Sequence, residues 1–234
     1  MDLRSGCLFW TNKEGDHPPH APPLDRDLAT DVAILGAGIT GAMAAHYLVE
    51  AGVATVLVDR RDIARGSTAA STGLLQYELD KPLVELASLV PERDASRAYQ
   101  LGRQALDEFE RLTQELGDDC GFARIHSLLL AADPKSVQLL CDETRARTAA
   151  GLSAQFLTQS DLARQFNISR PAAIFSQDAA QIDPVRFTSA LMLRAMNKGL
   201  RAIAHTQIDR YDSDKTGVTL TTHTGHRLRA RHVI

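Results

Sequence analysis

The sequence predicts an α/β fold. Three observations carry this. Asp31 to Leu35 is a short apolar run without alternation, the pattern of a strand buried on both faces of a parallel sheet. Gly36-Ala37-Gly38-Ile39-Thr40-Gly41 follows it as a complete GxGxxG and opens a helical stretch, Ile39 to Ala51. Val53 to Val58 is a second buried run and ends on an acidic residue, Asp59. A strand, a glycine turn, a helix and a second strand ending in a carboxylate make a Rossmann-like βαβ unit, whose crossover is right-handed.

Each glycine has a physical task. Gly36 lets the chain turn sharply out of the strand, Gly38 leaves room for a pyrophosphate at the backbone, and Gly41 lets the helix lie close to the sheet. The N–H groups of Ile39, Thr40 and Gly41 at the helix start then face the phosphates, aided by a helix dipole worth roughly 0.3–1 kcal/mol. Asp59 is placed to accept hydrogen bonds from the ribose hydroxyls of an adenosine. Its charge repels a 2′-phosphate, which disfavours NADP.

Before this unit, residues 11–30 are polar and proline-rich, which predicts an extended arm (1–30) that is not a core element and could pack on the surface of its own domain. After it, residues 60–82 are small and hydroxylated, and Arg93 to Leu116 repeats apolar residues at helical spacing until Gly117 stops it. From Phe122 the texture changes. Strand-like runs (Ser127 to Ala131, Gln155 to Leu157, Ala172 to Phe175) alternate with helical ones (Ser136 to Ala150, Asp161 to Gln165), as in part of an α+β domain with a mostly antiparallel sheet. Asp183 to Lys198 reads as a helix with Pro184 at an early position, and Arg201 to Ile208, Gly217 to Thr222 and His226 to Ile234 as three strands. The expected layout is a nucleotide domain at 31–117, a partial second domain at 118–180, and a return to the first at 181–234. The last apolar strand ends with the chain at Ile234, which suggests a truncated fold and leaves room for a partner chain that completes it.

The run from Asp59 through Arg60, Arg61, Ser67, Thr68, Ala69, Ala70, Ser71, Thr72, Gly73, Leu74, Leu75 and Gln76 resembles the D-amino-acid oxidase superfamily of flavoproteins, which includes glycine and sarcosine oxidases. The resemblance is strong over 31–76 and looser to 234. It implies a Rossmann-like FAD-binding domain and a substrate domain. It also implies an FAD-dependent oxidoreductase that oxidises the C–N bond of an amine or amino acid, with Ser67, Thr68, Ser71, Thr72, Gly73 and Leu74 lining FAD and Gln76 near the flavin ring. Relatives that hold FAD covalently place a histidine where this chain has Ala70, so the FAD is expected to be non-covalent. The strand beginning at Arg201 resembles the family strand whose backbone meets the adenine, which places that contact near Ile208. The resemblance leaves the catalytic residues unassigned. A flavin dehydrogenase of a hydroxy acid or glycerol phosphate, and a non-catalytic FAD-binding fragment, are the alternatives.

Other candidates come from the residues alone. His126 and Arg124 precede a strand and could reach a substrate. Arg60, Arg61 and Arg65 could neutralise phosphate or form a solvated basic loop. A net charge of −3 gives no reason to expect nucleic acid. Glycines, His46 and Glu50 interrupt the most apolar stretch, which argues against a membrane span. Cys7, Cys120 and Cys141 form no metal-binding pair, and an odd count without a secretory signal points to the cytoplasm.

Overall fold

The structure, a computed structural model, describes residues 8–11 and 18–234. Cys7 and part of the expected arm lie outside the described residues. In chain order the elements are β1 (Leu28–Leu35), α1 (Ile39–Glu50), β2 (Thr55–Val58), β3 (Leu74–Gln76), α2 (Leu83–Leu86), α3 (Glu92–Leu116) and β4 (Ala123–Leu130). They continue with α4 (Val137–Ala149), β5 (Gln155–Thr158), α5 (Gln159–Phe166), β6 (Ala172–Gln181), α6 (Pro184–Asn197), β7 (Arg201–Ile203), β8 (Ile208–Asp214), β9 (Gly217–Thr222) and β10 (Arg227–Val233). The chain folds into two compact units, one of residues 1–72, 116–120 and 183–234, the other of 73–115 and 121–182.

The first unit is a six-stranded sheet in the order β7-β2-β1-β10-β9-β8. β7, β2, β1 and β10 run parallel, and β9 and β8 add antiparallel strands at one edge. Ala33, Val56, Val58, Ile203, Leu228 and Ala230 form its core. α6 starts sharply because the Asp183 carboxylate accepts the N–H groups of Val185 and Arg186, both at 3.1 Å, and Pro184 needs no such partner.

The expected arm does enter the core within residues 21–24. Ala21 and Leu24 are buried, and Leu24 packs into the sheet core. Proline keeps the segment out of the ladder but leaves its carbonyls free, and Pro22 O accepts from Ala204 N at 3.1 Å. β1 also starts earlier than read, at Leu28, because Leu28 to Thr30 pair with Leu228 to Ala230 of β10. The stretch expected as one strand over 201–208 is two: β7 ends at Ile203, and the chain breaks through His205 at φ 49° before β8.

The second unit is antiparallel throughout. β6 is central and pairs with β3, β4 and β5. α3 belongs here and not with the six-stranded sheet, because Ala95, Tyr99 and Leu106 pack on Tyr77, Leu83 and Leu152. Gly117 ends the helix in a left-handed conformation at φ 69°.

A buried charge cluster ties this unit together. Arg147 Nε donates to Glu143 at 2.7 Å and Nη1 to Glu78 at 3.2 Å, with the Arg147 and Glu143 side chains only 2% and 1% exposed. The guanidinium also lies 5.6 Å and 5.7 Å from the ring centres of Tyr77 and Tyr99. Glu143 in turn accepts the N–H groups of Leu83 and Val84, each at 2.9 Å, and so caps α2. Burial opposes the charge on Arg147, but its bond to Glu143 and the nearby Tyr77 outweigh this and raise its pKa. Burial, with Glu143 adding to it, pushes the Tyr99 hydroxyl up to about 12.

Candidate functional site

The site is built at the C-terminal ends of β1 and β2, where a parallel sheet opens a crevice. Gly36 leaves β1 at φ 122°, a left-handed backbone that favours glycine, and its N–H donates to Val58 O at 2.8 Å. Gly41 has a tighter constraint. A Cβ there would lie 1.9 Å from the carbonyl oxygen of Gly36, so the third glycine is needed because the helix lies on the turn itself. A Cβ on Gly36 would meet nothing within 4 Å, which is the open ground a diphosphate needs.

The second wall is a 3-10 turn, Ser67–Ala70. Thr68 is buried beneath the glycine turn and its Oγ1 accepts the Ile39 N–H at 3.0 Å. A Cβ on Gly38 would sit 3.1 Å from that hydroxyl, so small size at Gly38 also admits Thr68. Spending the Ile39 N–H on Thr68 leaves Thr40 and Gly41 as helix-start donors, and the Thr68 hydroxyl proton is not used by that bond. Together these residues, with Ser67 and Ser71, line a cavity of about 610 Å³.

A neighbouring cavity of about 440 Å³ shares Leu35 and Gly36 with the first and is lined by Asp59, Arg60, Arg61, Thr206, Gln207 and Ile208. Asp59 bridges turn and loop: Oδ2 accepts Ala37 N at 2.7 Å and Oδ1 accepts Arg61 N at 2.8 Å. Ala64 N closes the loop on Ala37 O at 2.9 Å. One cavity rich in backbone and hydroxyl donors joined to one with a carboxylate rim fits a diphosphate linked to an adenosine. An Asp59→Asn variant puts an amide N–H against a backbone N–H at one of these two bonds. We expect it to lose about 1–3 kcal/mol of stability and to raise the Kd for FAD at least about tenfold, measured by denaturant melts and flavin fluorescence titration.

The sequence candidates divide by unit. Gly36, Gly38, Ile39, Thr40, Gly41, Ser67, Thr68 and Ser71 line the larger cavity, and Asp59, Arg60 and Ile208 the smaller. Thr72 ends the first unit, while Gly73, Leu74 and Gln76 begin the second. There Leu74 to Gln76 form β3, a strand the sequence reading left out, and Gln76 lines a cavity of about 230 Å³ with Glu78, Ser127 and Arg147. Ile208 lies at the start of β8 and not at the end of the preceding strand. Thr206 and Gln207, which precede it, were missed because no signal in the sequence marks the break after Ile203. Arg61 lines the smaller cavity and Arg65 neither. Arg124 is committed to Asp107 and Glu110, each at 2.6 Å, and His126 is exposed beside Phe175.

Among the described residues no group of three or more acidic, histidine or cysteine side chains could hold a metal ion, and no helix is long and apolar enough to cross a membrane.

Comparison with known proteins points the same way. A family model described as DAO, FAD dependent oxidoreductase, matches residues 31–234. A Bacillus subtilis protein named as a Rieske 2Fe-2S iron-sulfur protein, YhfW, is 25% identical over 97% of this chain and 43% of its own length. Mitochondrial dimethylglycine dehydrogenase of Rattus norvegicus is 28% identical over 80% of this chain and 21% of its own length. The chain therefore spans less than half the length of these curated relatives. The solved structure of L-amino acid deaminase from Proteus myxofaciens superposes with a TM-score of 0.75 at 16% identity, covering 93% of this chain and 47% of that one.

Proposed function

The chain belongs to the DAO family of FAD-dependent oxidoreductases, and from that premise we propose that it serves the oxidation of a C–N bond in an amine or amino acid. The observation that carries the choice of substrate is the similarity, over most of this chain, to a dehydrogenase named for an N-methylated glycine. In such a reaction a hydride leaves the carbon next to nitrogen, an imine forms, and water converts it to a carbonyl compound and a freed amine.

Bound FAD supplies the two-electron acceptor. The residues of this chain hold it. Thr40 and Gly41 N–H and the Thr68, Ser67 and Ser71 hydroxyls, which line the larger cavity, would meet the diphosphate. Asp59 would meet the ribose, while Thr206, Gln207 and Ile208 would wall the adenine side. No histidine lies between Ser67 and Gly73, and Ala70 stands where covalent relatives carry one, so the FAD is held without a bond to this segment. The free thiols Cys120 and Cys141 fit a reducing compartment such as the cytoplasm.

The test is turnover of the purified protein with an artificial electron acceptor, offered N-methylated glycines, amino acids, 2-hydroxy acids and glycerol phosphate. Reduction of the acceptor with release of amine is the expected result. Turnover of the hydroxy compounds alone would replace this reading with the alcohol-oxidising one. Acid precipitation should leave the yellow colour in the supernatant, and flavin in the pellet would refute the non-covalent assignment.

A further inference from the structure

We propose that Trp10 and residues 21–24, which precede β1, brace the dinucleotide site by fixing a loop on each of its two cavities. The inference rests on the FAD reading above, and all the residues involved belong to the first unit.

The first loop holds a single 3-10 turn and the second no regular element. On the diphosphate side, the Ser67–Ala70 turn and Ser71 line the larger cavity. The Trp10 indole N–H donates to Ser71 O at 2.7 Å, and the 3-10 turn Phe9–Thr11 packs on the Ser67–Ala70 turn. On the adenosine side, Thr206 and Gln207 line the smaller cavity. Pro22 O accepts Ala204 N at 3.1 Å, and Leu24 N donates to Thr206 Oγ1 at 3.0 Å, where both groups are buried. The Thr206 hydroxyl in turn donates to Ala204 O at 3.0 Å. Thr206 N and His205 N then bond Asp59 O and Arg61 O at 2.9 Å and 3.2 Å, so the braced loop holds the loop that carries the ribose-facing carboxylate. Leu24 anchors the segment in the sheet core.

The placement of the two contacts assigns them separate effects. Trp10 steadies the diphosphate wall and leaves the adenosine wall alone. Positioning of this kind raises affinity by removing the cost of ordering the loop at the moment of binding.

Trp10 is the single tryptophan of the chain, which makes it a reporter as well as a contact. In the wild-type protein stripped of flavin, added FAD should quench Trp10 emission in step with binding. Trp10→Phe keeps a ring and removes the N–H. It should raise the Kd for FAD and for ADP about fivefold, leave the Kd for adenosine unchanged, and lower the melting temperature of the flavin-free protein only slightly, as the loss of one hydrogen bond would. An unaltered FAD affinity in W10F, an equal loss for adenosine, or Trp10 emission indifferent to saturating FAD would each overturn the brace while leaving the FAD site standing. A wild-type protein that takes up no FAD would overturn both.

Discussion

Replacing Gly41 by alanine is expected to abolish FAD retention and to lower the stability of the first unit by about 1–3 kcal/mol or more. The added Cβ would meet the Gly36 carbonyl oxygen at 1.9 Å, and backbone cannot rotate away as a flexible side chain can. Relief requires the helix to lift from the turn. That moves Thr40 and Gly41 N–H, which are the donors left to the diphosphate after Thr68 has taken Ile39. Gly52→Ala is the control. Gly52, unlike Gly41, is left-handed, at φ 75°, but a Cβ there meets nothing within 4 Å. It should cost about 1 kcal/mol through backbone strain and leave FAD binding intact. Denaturant melts and the flavin absorbance of the purified variants give both answers.

Arg147→Met should cost about 3–5 kcal/mol, the penalty for stranding buried charge. The loss would leave Glu143 at 1% exposure without its cation while it still holds the first N–H groups of α2. Amide exchange over 77–87 should then rise before that of β6. The double variant R147M/E143Q should recover part of the loss, because it removes the stranded charge as well as its partner. Arg147→Lys should behave closer to methionine than to arginine, since one ammonium cannot reach Glu143 and Glu78 while lying against two tyrosine rings. Wild-type stability in R147M, read by urea unfolding, would mean that the cluster is decoration.

The features visible in the sequence were those fixed by local constraint. β1 and β2 announce themselves as short runs buried on both faces, and the glycine turn is legible because each glycine answers a steric demand within a few residues. α3 shows its amphipathic face, and Asp183-Pro184 shows the start of α6. What escaped depends on distant partners. β8 is exposed at all but its first residue and carries Asp209, Arg210, Asp212 and Asp214, so no burial pattern marks it, and only pairing with β9 makes it a strand. The Ala204–Gln207 break is set by Pro22 and Leu24, some 180 residues earlier. Glu143 and Arg147 look like a surface i,i+4 pair in sequence, and only the packing of Tyr77 and Tyr99 buries them. The unit boundary at Gly73 is likewise a tertiary fact, since α3 chooses its neighbours by shape. The same split explains the site. The adenosine and diphosphate half sits on local motifs, while Gln76 falls in another unit whose cavity the sequence did not foretell.

The central claim is that the turn from Gly36 to Gly41, with Asp59 and Thr68, holds the adenosine diphosphate half of FAD. Titrating flavin-free protein with FAD, in the presence of ADP or of 2′-phosphoadenosine diphosphate, tests it most directly. The account predicts one FAD per chain, displaced by ADP and resisted little by the 2′-phosphorylated analogue, which Asp59 repels. Equal displacement by both, or FAD binding that ADP does not weaken, would contradict it.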